Sequence, residues 1–201
     1  ISFTLSSSMV TILCHFLTLM LLIRMLDKES MGAYFIALII MMLLVLLSDM
    51  GVDLALVKKY PEEDETGKAS LVFTAFILRV RFCAVFSGLF LFRVSVVYIP
   101  MLGEVAHVAG PLLLFYLLAS LRLLLLRILQ AGQLFGAYAG TQLLAAALKV
   151  VLVIALFTLG DDSLAHVLLC ESAALVASIV YGLSRLGFLT RRPAPPSLTK
   201  A

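Results

Sequence analysis

Tryptophan is absent from the chain, so any aromatic belt at a membrane boundary must be built from its tyrosines and phenylalanines. Cysteine is scarce. Cys14, Cys83 and Cys170 all fall inside apolar runs, and none forms a Cys-x-x-Cys pair, which excludes a zinc or redox framework and leaves them as small buried hydrophobes. His15, His107 and His166 lie in separate segments without the spacing that places two imidazoles on one helix face. There is no Gly-x-Ser-x-Gly and no phosphate loop, so no catalytic constellation is expected and the chain reads as a non-enzyme without cofactor or metal. Charge is thin: 13% of residues, where a soluble domain carries about 25%. No basic stretch is interleaved with aromatics, which excludes nucleic acid as a partner.

What replaces these residues is hydrocarbon. The chain is 63% hydrophobic with a mean hydropathy of +1.14. Its apolar runs reach the roughly 20 residues that cross a bilayer. Six spans are expected, over about 3–23, 33–57, 69–92, 109–129, 137–159 and 164–189. The first is too long for a signal-peptide core and lacks a basic leader and cleavage site, so it is expected to stay. Residue 1 is Ile rather than Met, which suggests a processed or truncated start. The runs are continuous rather than alternating, which argues against strands. The expectation is an all-α, polytopic membrane protein: a six-helix lobe over residues 1–190 and a disordered cytoplasmic tail over 191–201, where Pro193, Pro195 and Pro196 cluster. The run Glu62-Glu63-Asp64-Glu65 reads as a solvated loop.

Basic residues in the loops set the orientation. One side holds Lys58, Lys59, Lys68, Arg127, Arg185, Arg191, Arg192 and Lys200. The other holds Arg24, Lys28 and Arg93, with none in the Asp161-Asp162 turn. The first side is expected to be cytoplasmic, with both termini on it and the chain in the inner membrane.

Nine charged residues fall inside the expected spans, of which Arg127 and Arg185 lie near the ends and are counted with the loops. Counted from the start of each apolar run, Arg79, Arg81 and Lys149 lie near mid-membrane and Arg122 in the cytoplasmic half of the fourth span. Asp49 and Asp53 share a face one turn apart, and Glu171 lies in the sixth span. A cation facing lipid at the bilayer centre costs about 3 kcal/mol or more, so most of these must face protein or water. Two readings stay open. In one, Asp49 or Asp53 neutralises Arg122, and Glu171 neutralises Lys149. In the other, the surplus cations line a watery cavity that takes an anionic group such as a phosphate.

Arg24-Met-Leu, an acidic-basic-acidic loop, Gly32-Ala-Tyr34, a long apolar run and then Ser48-Asp49-Met-Gly51-Val-Asp53-Leu-Ala-Leu-Val-Lys58 resemble the start of the polysaccharide and O-antigen flippases. These belong to the multidrug/oligosaccharidyl-lipid/polysaccharide exporter superfamily. Leu129-Gln130-Ala-Gly-Gln-Leu-Phe135 resembles that family's turn between helices four and five. The resemblance runs over about residues 1 to 190 and implies the N-terminal six-helix lobe of a transporter that flips a lipid-linked oligosaccharide or polysaccharide precursor by alternating access. It implies a pyrophosphate held by cations, here Arg79, Arg81, Arg122 and Lys149, with Asp49, Asp53 or Glu171 as coupling or structural carboxylates. It also implies membrane lipids and a second six-helix half as partners. The alternatives are a non-transporting structural subunit of a larger membrane complex with a flippase-like half fold, and a multidrug or ion antiporter.

Overall fold

In the computed structural model, residues 2–96, 108–160 and 162–190 are described. The 191–201 tail, the loop carrying Pro100, Gly103, Glu104 and His107, and Asp161 lie outside the described residues. Among the described residues seven α-helices follow in order: α1 (Ser2–Met25), α2 (Lys28–Asp49), α3 (Val52–Lys59), α4 (Glu65–Val96), α5 (Ala109–Ala131), α6 (Phe135–Leu159) and α7 (Leu164–Thr190). All but the eight-residue α3 are long and apolar enough to cross a membrane. No strand occurs among the described residues, so the all-α, six-span architecture stands.

Local chemistry explains the boundaries. Asp27 caps α2: its carboxylate accepts from the Ser30 backbone N–H at 2.9 Å. Hydrogen bonds from the Ser30 side chain and backbone hold this carboxyl below the usual carboxylate range. Gly160, at φ 69°, closes α6 in the left-handed conformation that glycine adopts without strain.

Two boundaries differ from the sequence reading. The second span is not one helix to residue 57. It breaks at Met50 and Gly51, whose φ values of 42° and 80° leave the right-handed helix. Asp49 then accepts the backbone N–H of Asp53 at 3.1 Å, so the carboxylate that ends α2 also caps the first turn of α3. The third span starts earlier than expected. The acidic run is not all loop, because Asp64 accepts the Gly67 N–H at 2.8 Å and caps α4. The Gly67 N–H, with the Thr66 hydroxyl behind it, holds the Asp64 carboxyl low.

Helix α5 is the hub. It packs against α2, α3, α4, α6 and α7, while α1 lies chiefly along α6. The main core draws Leu22 from α1, Tyr34 from α2, Leu112 from α5, Val153 from α6 and Leu168 from α7. Polar side chains tie α2 and α4 to the hub: Ser48 meets the Tyr116 hydroxyl, and Cys83 donates to Ser120 Oγ at 3.2 Å. Helices surrounded by lipid gain little from the hydrophobic effect when they associate, so close approach of backbones and such contacts carry the packing. Gly182 on α7 shows this. A Cβ there would lie 2.6 Å from Leu125 Cδ2 of α5 and 3.2 Å from Thr141 Oγ1 of α6.

A bulky side chain at this three-helix contact should force α7 outward. Gly182→Leu is expected to destabilise the detergent-solubilised protein by about 1–3 kcal/mol, read as a lowered thermal midpoint. Gly88→Leu, where nothing lies within 4 Å, should leave the midpoint unchanged. Equal midpoints for both variants would remove Gly182 from the packing account.

Candidate functional site

The buried charges separate into two constellations. The first surrounds the break between α2 and α3. Arg79, projecting from α4, is wholly buried (0% exposed), and its Nη2 donates to Asp53 Oδ1 at 2.5 Å and lies 3.3 Å from Asp49 Oδ1. Arg127 of α5 places Nε 3.5 Å from Asp53 Oδ2 and gives Nη1 to Gln130 Oε1 at 2.9 Å. Two cations thus face two carboxylates from three helices and a helix end, and the formal charge cancels. The break makes this geometry. By restarting the helix at Val52, the chain turns Asp53 inward, where it is buried, and leaves Asp49 as its cap.

Arg79 is therefore held at the level where α2 ends, not beside the middle of that helix. Along its own helix Arg79 is central, the fifteenth of the 32 residues of α4. Arg81, two residues on, is exposed on the outer face of α4. The expected pairing of Asp49 or Asp53 with Arg122 is also replaced: their cations are Arg79 and Arg127.

The second constellation lines a cleft of about 260 Å³ among α1, α2, α5, α6 and α7. Its polar side chains are His15, Arg122, Gln142, Lys149 and Glu171. Each helix delivers them by its own periodicity. Phe115, Ala119 and Arg122 form one stripe of α5, Gln142 and Lys149 stand two turns apart on α6, and Glu171 shares a face of α7 with Ala174 and Leu175. Ala119, Ala145, Ala146 and Ala174 leave the space that larger side chains would fill.

Within the cleft, Lys149 Nζ pairs with Glu171 Oε1, as the sequence reading proposed for these two residues, and the Tyr34 hydroxyl donates to the same oxygen at 2.7 Å. Glu171 Oε2 and Arg122 Nε are buried without a hydrogen-bond partner. No carboxylate among the described residues pairs with Arg122. Two cations against one carboxylate leave the cleft positive. Such a site suits an oxyanion that accepts both a guanidinium fork and an ammonium.

Of the four cations that the resemblance offered for a pyrophosphate, the structure brings Arg122 and Lys149 to one cleft and places Arg79 and Arg81 elsewhere. Tyr34 and Gln142 were not singled out as site residues. The signal for Gln142 was its seven-residue interval to Lys149. Tyr34 was visible only as part of Gly32-Ala-Tyr34, because its partner lies 137 positions away. Among the described residues, no group of three or more His, Cys, Asp or Glu side chains is placed to hold a metal.

The clamp at Arg79 makes a stability prediction. Arg79→Met leaves the buried Asp53 with Arg127 alone, 3.5 Å away, and should cost about 3 kcal/mol in denaturation of the solubilised protein. Arg79→Met with Asp53→Leu removes both charges and should recover much of that loss. A single variant as stable as the parent would show that the clamp contributes nothing.

Neither the curated proteins nor the solved structures include a significant match to the chain. The model of a family described as polysaccharide biosynthesis protein matches residues 1–199. Nearly the full sequence lies within that match, on a fold of six membrane-length helices, and the chain is a multi-pass membrane protein that belongs to the polysaccharide biosynthesis protein family.

Proposed function

We propose that the chain flips a lipid-linked oligosaccharide or polysaccharide precursor across the inner membrane, as one lobe of an alternating-access unit, with Arg122 and Lys149 receiving the pyrophosphate. The observation that carries this reading is the unpaired Arg122 beside Lys149 in one cleft. A half-buried guanidinium inside a span and without a carboxylate is expensive unless water or something anionic reaches it. Family membership supports a role in polysaccharide precursor export. In this reading the sugars lie in the aqueous space between this lobe and a second six-helix half, and the lipid tail stays in the bilayer. The loops with the larger share of Lys and Arg face the cytoplasm, as do both termini. The work is transport rather than catalysis. Glu171 holds Lys149 in place while the cleft is empty, and an arriving phosphate competes with it for the ammonium.

A second reading has its own support. Lys149 already has Glu171, and Arg79 is locked between two carboxylates. A lobe whose charges serve mainly to hold helices together would suit a non-transporting subunit of a larger membrane complex.

Arg122 separates the two, because removing it strands no carboxylate. Arg122→Gln should lower translocation of lipid-linked saccharide by roughly tenfold or more, the scale of one lost charge-assisted contact, with the protein present at its usual level. Arg122→Lys should restore part of the rate, and Arg81→Gln should have no effect. Undiminished translocation in Arg122→Gln would remove the cleft from the mechanism and favour the structural reading.

A further inference from the structure

On a different face of α2 from the cleft, α2 and α5 leave a larger hollow of about 510 Å³. Its walls are apolar, with Ile39, Met42 and Leu46 on α2 and Leu123 on α5, and one end is closed by Asp49 and Arg127 next to Asp53. Met42 and Leu46 are 74% and 71% exposed, so this chain does not cover them. The length is informative. From Ile39 to Asp49 the helix advances about 15 Å, half of a hydrocarbon core about 30 Å thick. Asp49 is the last residue of α2, and Arg127 stands one turn before the end of α5. With α2 crossing the core over Lys28–Asp49, about 30 Å, the charged end falls at the bilayer boundary and the apolar end near its middle. The hollow has the length and polarity of one acyl chain in one leaflet, with its headgroup at Asp49 and Arg127.

The mouth selects among headgroups. Asp53 is buried and committed to Arg79. Asp49 is 26% exposed and Arg127 40% exposed, so a carboxylate and a guanidinium both reach the surface there. A headgroup that is only anionic meets Asp49 unfavourably. A phosphate followed by a cation satisfies both residues, with the phosphate on Arg127 and the cation on Asp49. A primary ammonium is favoured over a quaternary one, because it carries N–H donors for the carboxylate.

We propose that the groove between α2 and α5 binds a membrane phospholipid of the ethanolamine class. Its chain lies along Ile39, Met42 and Leu46, its phosphate on Arg127 and its ammonium on Asp49. The site is separate from the cleft and does not depend on the transport reading.

The test is native mass spectrometry of the purified full chain, released from detergent containing equal amounts of ethanolamine, choline and glycerol phospholipids with identical tails. The wild type should retain the ethanolamine lipid roughly fivefold or more over either competitor, the scale of a charge-assisted hydrogen bond. Asp49→Asn and Arg127→Gln should each reduce that preference severalfold. Because Asp49 also touches Arg79, a third variant guards against a simple loss of fold: Met42→Trp fills the apolar part from an exposed position and should lower retention of all three lipids. Equal retention of the three lipids by the wild type, or a preference for the choline or glycerol lipid, overturns the proposal. So does unchanged lipid retention in folded Met42→Trp, or a lipid-free dimer showing that a second copy occupies the groove.

Discussion

A charge held within an apolar bundle must be answered by another charge, by water or by a ligand, and the rest of this structure is arranged around that requirement. At the end of α2 the answer is local and complete in charge. Arg79 and Arg127 face Asp49 and Asp53, and the contact joins α3, α4 and α5 into one unit. In the cleft the answer is incomplete. Lys149 has Glu171, and Glu171 has Tyr34, but Arg122 has no carboxylate. The same cost that makes the first constellation a brace makes the second a place for an anionic visitor.

The hub position of α5 lets both constellations share one scaffold. Arg122 and Arg127 are five residues apart on that helix, which is far enough to face different neighbours. One reaches the cleft between α1, α6 and α7, and the other reaches the break beside α3 and α4. Close contact at Gly182 and the polar ties of Tyr116 and Ser120 hold this helix against its neighbours, so the cleft is bounded by packed elements rather than by loops. Small residues at Ala119, Ala145, Ala146 and Ala174 then leave the hollow that the charges line.

Much of the fold was legible because bilayer thickness imposes a length that composition reveals. Five of the six spans begin and end within a few residues of their helices, and the second overruns a break. That break at Met50 and Gly51 was hidden because apolar residues flank it on both sides, although Asp49 followed by Gly51 is the chemistry of a helix stop and a new cap. Asp64 was hidden inside an acidic run that reads as solvent-facing, yet it caps α4. Within the site, charge identity was readable and partner choice was only half so. Lys149 and Glu171 were matched by the sequence reading, but Asp53 takes Arg79 and Arg127 in place of Arg122. Pairing across helices depends on rotation and register, and neither is encoded in spacing along one helix.

The central claim is that Arg122 and Lys149 share a water-reachable cleft that accepts an anionic group. Gln142 lines that cleft together with the two cations and provides a probe. In a background with Cys14, Cys83 and Cys170 replaced by alanine, Gln142→Cys should react with a membrane-impermeant thiol reagent in native membranes. A diphosphate-linked lipid saccharide should slow that reaction, whereas the same lipid without phosphate should not. Labelling that is absent, or equally fast with and without the diphosphate lipid, would contradict the account.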